Sequence, residues 1–309
     1  MKIHHILATT EDQEYVASLL GDQRFQSMYS GPMTIEQMRA GTTLLVGDDK
    51  LKGVPAGVTV VPLELAGRPC EKISASEHDD SKVILFLHGG GFIRGSLDMG
   101  RANAAELANA ARVPVIALSY RQAPEHPFPA ATSDTLGAYC ALLADGYAAE
   151  NIVVVGESAG GCLALTLLPH LLREGVPAPL GVVGISPMTD LRLAGAAWYF
   201  NAGRDIATRA MGQRMIDLYI GEKDQDDPLA APVNSAVPAG SSILLCVGSH
   251  EAMLSDVERY ANQASAAGAD VTLNLYQAMP HGFTKFAIPI AHKAIGDVAA
   301  WCVGRFHAK

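Results

Sequence analysis

Charge is scarce in this 309-residue chain, at 18% of residues, and aromatic side chains are scarcer, at 6%. Lys and Arg nowhere gather beyond isolated pairs, and acidic residues outnumber them 32 to 23. A nucleic-acid surface needs clustered cations to displace phosphate counterions, so nucleic acid is not an expected partner. An anionic membrane surface is disfavoured for the same reason. No apolar stretch reaches the ~20 residues of a membrane span, so no membrane insertion is expected. The richest stretch, 152–172, is broken by Glu157, Ser158, glycines, Pro169 and His170. The opening MKIHHILATTEDQEY lacks the long apolar core of a secretory signal. Cysteines are few (Cys70, Cys140, Cys162, Cys246 and Cys302), odd in number and without a CxxC pair. That spacing disfavours a zinc knuckle or redox dithiol and fits free thiols in a reducing cytoplasm, the expected location.

What the chain has is apolar residues, 49% of the total, as expected of a globular protein. The length suits one domain spanning 1–309. Short runs rich in Val, Ile and Leu recur at 82–88, 113–120, 151–156, 180–186, 242–248 and 271–277. Runs of this length and composition read as strands buried on both faces of a parallel sheet. Helical patterns separate them at 98–111, 130–144, 159–174, 255–267 and 289–306. The alternation predicts an α/β fold built from βαβ units. Weaker strands near 57–65 and 69–76 suggest an antiparallel edge. The run VTLNLY (271–276) would be the other edge, open to pairing with a second copy. Two stretches fall outside the alternation. Residues 1–45 read as helical and carry Met28, Tyr29, Met33, Ile35 and Met38. Residues 190–222 carry Leu193, Trp198, Tyr199, Phe200, Met211 and Met215. Both are expected to form a helical cap over the carboxyl edge of the sheet, where ligands of such folds bind.

The sharpest motif is Gly156-Glu157-Ser158-Ala159-Gly160, which follows the strand IVVV and opens a helical pattern. In that context G-x-S-x-G is a nucleophile elbow: small residues flank Ser158 and the tight turn lifts its hydroxyl above the sheet. A serine hydroxyl needs a base within hydrogen-bond reach. His281, in the loop after the last predicted strand, is the best-placed histidine. The acid that orients it belongs after strand 242–248, where Glu251 and Asp256 both stand; Glu251 is nearer the strand end, and Asp256 suits a helix first turn. The run His88-Gly89-Gly90-Gly91-Phe92 directly follows another strand. Consecutive glycines let backbone N–H groups approach an oxyanion, and Ala159, after the nucleophile, supplies a further N–H.

These motifs resemble a known family. HGGGF (88–92), SYRQAPEHPFPAA (119–131), GESAGG (156–161), SPMTDL (186–191), DPLAAPVNS (227–235), GSHEAMLSD (248–256) and MPHGF (279–283) occur in the order found in hormone-sensitive lipase-like α/β-hydrolases, the bacterial family IV esterases. The resemblance covers residues 58 to 309. It implies a mostly parallel eight-stranded sheet with a helical cap, Ser158 as nucleophile and His281 as base. It further implies Gly90, Gly91 and Ala159 as oxyanion donors, and His88 as a brace for their loop. The family's usual acid is Asp; here the position reads Glu251, as in one subgroup, with Asp256 as the alternative. Glu157, in place of the common Asp, is expected to be structural. The implied activity is hydrolysis of short- to medium-chain acyl esters, small-molecule substrates, with no cofactor and no metal. The same triad would serve a lactone hydrolase or a deacetylase, and some relatives on this scaffold only bind a ligand. Members often pair through the last sheet edge, so a homodimer is expected there.

Overall fold

A computed structural model describes residues 1–22, 34–45 and 51–308. In chain order the elements are β1 (Lys2–Ile6), α1 (Thr10–Gly21), α2 (Ile35–Leu45), β2 (Val58–Leu65), β3 (Arg68–Ala75), β4 (Val83–Leu87), α3 (Leu97–Ala111), β5 (Val115–Leu118), α4 (Ala130–Ala144), β6 (Ile152–Glu157), α5 (Ala159–Glu174), β7 (Gly181–Ile185), α6 (Ala197–Phe200), α7 (Arg209–Ile220), β8 (Ser242–Gly248), α8 (Leu254–Ala266), β9 (Asp270–Tyr276) and α9 (Pro289–His307). The strands form one sheet in the order β1-β9-β8-β7-β6-β4-β5-β3-β2.

β4, β5, β6 and β7 are buried at every position, as continuous apolar runs require. Side chains alternate between faces. Val83, Leu85 and Leu87 join the cluster containing Tyr139 of α4, Leu163 of α5 and Tyr260 of α8. Ile84 and Phe86 join the opposite cluster, with Ala104 of α3 and Ile295 of α9. β2 and β3 form the expected antiparallel edge. Their two-residue turn, Ala66-Gly67, has positive φ at both positions, which matches the right-handed twist of the strands.

The structure corrects three expectations at the amino-terminal end. The sheet has nine strands, not eight. The ninth is β1, which pairs in parallel with β9 from Lys2↔Thr272 to Ile6↔Tyr276. VTLNLY is therefore an inner strand, and the route to a homodimer through its free edge is closed. β1 was illegible because KIHHI is exposed at four of its five positions and carries no apolar run. Nor is 1–45 uniformly helical or all cap. α1 sends Val16 and Leu19 into the cluster of α3 and α9. Of the described elements in 1–45, α2 reaches the other side, where Met38 shares a cluster with Phe92 and Tyr219. Met28, Tyr29 and Met33 lie outside the described residues. No described helix is long and apolar enough to cross a membrane.

One carboxylate anchors α1. Asp12 is buried, and its Oδ2 accepts the Thr9 N–H at 2.9 Å and the Thr9 hydroxyl at 2.7 Å. The Thr9 Oγ1 accepts the Asp12 N–H in return, completing a capping box. Asp12 Oδ1 also accepts the Ile290 N–H at 3.2 Å, satisfying a free donor in the first turn of α9. Asp12→Ala should lower the unfolding free energy by about 2 kcal/mol, because it strands donors in two helices. Urea unfolding checks this; an unchanged midpoint would show that the link carries no stability.

Candidate active site

The carboxyl ends of β4, β6, β8 and β9 bring four loops to one cavity. β6 ends in the elbow. Ser158 sits between strand and helix at φ 53°, ψ −115°, a conformation that L residues avoid and that only surrounding structure sustains. Its N–H donates to the Ile185 carbonyl at 2.8 Å, and its own carbonyl accepts from Cys162 and Met188. The two flanking glycines are sterically required. A Cβ on Gly156 would lie 2.0 Å from the Gly160 carbonyl oxygen, and one on Gly160 would lie 2.1 Å from the Leu87 carbonyl oxygen.

The loop after β9 carries His281. Its Nε2 lies 3.0 Å from Ser158 Oγ, and its Nδ1 lies 3.0 Å from Glu251 Oε2. A carboxylate only accepts, so the Nδ1 holds the proton and Nε2 is free to accept from the serine hydroxyl. Glu251, in the loop after β8, is fully buried. Its other oxygen accepts the Ser186 hydroxyl at 2.7 Å and the Gly248 N–H at 2.6 Å. Burial pulls the His281 imidazolium down, but the hydrogen bond and charge of Glu251, joined by the charge of Asp205, outweigh it; the net pKa is raised above the ordinary value.

The structure brings Ser158, His281 and Glu251 together and holds Asp256 elsewhere. The Trp198 Nε1 donates to Asp256 Oδ2 at 2.8 Å, with Arg259 beside it. Burial pushes the Asp256 carboxyl up to about 6.

The loop after β4 carries the glycine run. The Gly90 carbonyl accepts from Ile93 and Arg94, folding the loop back on itself. Phe92 stacks on Tyr219 of α7 with ring centroids 3.8 Å apart. Gly90 and Gly91 line the cavity together with Ser158 and His281. The N–H groups of Gly90, Gly91 and Ala159 make no backbone hydrogen bond among the described residues. His88 is buried, stacks on Tyr120 at 4.4 Å, and places its Nδ1 2.8 Å from the Gly89 carbonyl. The Tyr120 hydroxyl donates to the His88 carbonyl at 2.8 Å. Burial drives the His88 pKa down to about 4, so the ring is neutral. Glu157 accepts from the Asn103 amide and pairs with Lys285 at 3.3 Å.

Sequence reasoning missed Ser186, Asn201 and Asp205. Ser186 stands in SPMTDL, just past β7, where only its position at a strand end hinted at the site. Asn201 and Asp205 lie in an irregular segment whose partners are distant in sequence. Among the described residues, no three His, Cys, Asp or Glu side chains gather as a metal site.

Residues 84–285 match the pattern of the α/β hydrolase fold family. The chain belongs to the α/β-hydrolases. An acetyl-hydrolase of Streptomyces hygroscopicus is 34% identical over 230 residues, 74% of this chain and 76% of that protein. An esterase of Acinetobacter venetianus is 34% identical over 247 residues, 78% and 81% of the two chains. A crystal structure of an esterase from the bacterial hormone-sensitive lipase family superposes with a TM-score of 0.90 at 31% identity, covering 97% of this chain and 99% of that one. A hormone-sensitive lipase from a metagenome library gives 0.90 at 32% identity, covering 96% and 98%. This α/β-hydrolase is thus of the bacterial hormone-sensitive lipase type.

Gly160→Ala must push helix α5 away from the β4 loop, an overpacking cost of about 1–3 kcal/mol or more. The variant should melt earlier and lose most turnover. A wild-type melting temperature with wild-type kcat would contradict the close approach.

Proposed function

We propose that this hydrolase cleaves short- to medium-chain acyl esters by a serine acyl-enzyme mechanism, with Ser158 as nucleophile, His281 as base and Glu251 as the acid that orients it. The class is that of the relatives: the protein is a carboxylic ester hydrolase. The observation that carries the residue assignment is the unbroken chain from Ser158 Oγ through His281 to Glu251, with both links at 3.0 Å. As Ser158 attacks the ester carbonyl, Nε2 takes its proton and then returns it to the leaving alcohol. Glu251 holds the tautomer and balances the imidazolium. The N–H groups of Gly90, Gly91 and Ala159 face the developing oxyanion, each worth roughly 10²–10³ in rate. Water hydrolyses the acyl-enzyme by the same route.

α2 and residues 190–222 act as the cap. The cap wall of the cavity is apolar, with Trp198, Met211 and Met215 facing Met188 and Met253. Met215 packs on the glycine loop so tightly that a Cβ on Gly91 would lie 2.1 Å from its sulfur. A side chain held there limits the room beside the scissile carbonyl, which favours short acyl groups. The acetyl-hydrolase among the relatives is in keeping with that end of the range.

Assay on p-nitrophenyl esters of graded chain length tests the reading. Turnover should be highest on acetyl to medium chains, and Ser158→Ala should lower kcat by about 10⁴-fold or more. A folded wild type inactive on every ester would overturn it. The pH dependence has a fixed sign. His281 must be neutral to accept a proton, and its pKa lies above the ordinary 6.5. The acid limb of kcat/KM should therefore have its midpoint above 6.5 and activity should rise through neutrality. A midpoint below 6.5 would show that Glu251 and Asp205 do not outweigh burial at His281.

A further inference from the structure

The segment between α6 and α7 sends one carboxylate down among the loops of the site. Asp205 is 8% exposed. Its Oδ1 accepts the N–H of His281 at 2.7 Å, and its Oδ2 accepts the N–H of Ala252 at 2.6 Å. The N–H of Ile206 also donates to Oδ1, at 2.7 Å. Ala252 follows Glu251, so one side chain bridges the backbone of the base and the backbone beside the acid. Four residues earlier, the Asn201 amide donates to the carbonyls of Ser249 at 3.0 Å and Glu251 at 2.9 Å. The cap is thus tied to both triad loops by two neighbouring side chains. The mechanism above uses neither of them.

The choice of a carboxylate is informative. Burying a charge is costly unless partners compensate. A neutral amide offers a single acceptor oxygen and could not satisfy the N–H groups of His281 and Ala252 from both of its ends. A carboxylate accepts on both sides, and above about pH 6, to which burial pushes the Asp205 carboxyl, it also places negative charge beside the imidazole. The charged groups that face His281 are Glu251, Asp205 and Lys285, the last acting in the opposite sense. Those that face Asp205 are His281 and Glu251. The imidazolium formed at each proton transfer therefore has two carboxylates against it and one ammonium opposing them.

We propose that Asp205 is a positioning residue for the ester hydrolysis: it locks the cap to the loops of His281 and Glu251, and its charge supports the imidazolium. The proposal rests on the triad reading. An error of ~1 Å in the placement of the base costs on the order of 10²-fold in rate, so the lock acts on kcat more than on substrate binding.

The test compares wild type, Asp205→Asn, Asp205→Glu and Ser158→Ala on p-nitrophenyl butyrate, with kcat and KM measured across the pH range of activity. Circular dichroism and thermal melting confirm which variants are folded. Asp205→Asn should lower kcat about 10- to 100-fold while KM stays within about threefold. Its acid limb should move to lower pH by about half a unit or more, because a negative charge beside the imidazole is gone. Asp205→Glu keeps the charge but not the reach. It should lower kcat and leave the acid limb where wild type has it. An Asp205→Asn enzyme with wild-type kcat and acid limb overturns the proposal. So does one that loses activity while its limb stays fixed, for the link is then structural only. Should the Asn variant not fold, the Glu variant decides: wild-type kcat, or a displaced limb, overturns the assignment. Ser158→Ala separates the two levels. Turnover surviving in that variant refutes the triad itself, whereas a dead Ser158→Ala beside an unaffected Asp205→Asn refutes only the role of Asp205.

Discussion

The site depends on one close approach of backbone to backbone. The start of helix α5 lies so near the end of β4 that there is no space for a side chain between Gly160 and the carbonyls of Leu87 and His88. The two strands that feed this contact are neighbours in the sheet, paired from Val83↔Ile152 to Leu87↔Gly156. Register therefore fixes how the glycine run of 89–91 stands relative to Ser158 and Ala159. The strained backbone of Ser158, which costs roughly 1–3 kcal/mol, is tolerated because the turn is pinned on each side. Its N–H is held by β7 and its carbonyl by the first turn of α5. Strain and steric exclusion act together: the turn that lifts the hydroxyl is the turn that forbids side chains around it.

Two histidines near this contact show how burial is used in opposite ways. His88 is enclosed against Tyr120 with its Nδ1 on the Gly89 carbonyl, and desolvation, reinforced by the charge of Lys285, keeps it neutral. A neutral ring braces the glycine loop without burying an unpaired cation beside it. His281 is only partly enclosed, but a buried carboxylate faces its Nδ1 and a second accepts its backbone N–H. There the desolvation penalty is outweighed and the ring stays ready to take a proton. The two rings differ in depth, and above all in what each one meets.

Much of this was legible in the sequence, and what was not has a common physical cause. The six buried strands announce themselves as apolar runs because both faces are covered. The elbow and the glycine run are local: a handful of consecutive residues states the backbone conformation directly. Ser158, His281 and Glu251 could be found from the ends of those strands. β1 could not, because an edge strand with solvated side chains has no apolar run to read. α1 was legible as a helix but not in its destination, since a pattern of apolar spacing says which face is buried and not against what. Asp256 remained a competitor to Glu251 because both follow β8. The contact of Glu251 with His281 and the packing of Trp198 against Asp256 separate them, and those contacts join residues 30 and 58 apart in the chain. Asp205 carried no signal at all, for its partners are donated by the backbone, which every sequence has.

β7 carries none of Ser158, His281 and Glu251, yet its end sets how Ser158 and Glu251 line up. Ile185, its last residue, accepts the N–H of Ser158. Ser186 follows in a positive-φ turn, donates its own N–H to Cys246 of β8, and sends its hydroxyl to Glu251. A glutamate has one more rotatable bond than an aspartate, and left to itself would spread over more positions. Here the Ser186 hydroxyl and the Gly248 N–H seize one carboxylate oxygen, so only the other is left for the imidazole. The longer acid is thereby made as definite as a shorter one. Ser158 and Glu251 follow strands on either side of β7, and the residues Ile185 and Ser186 at its end hold one each. The spacing between them is then a property of sheet geometry, about 4.8 Å per strand, and not of loop conformation. His281 bridges a gap whose width the sheet has already set, and the cap fastens the bridge from above.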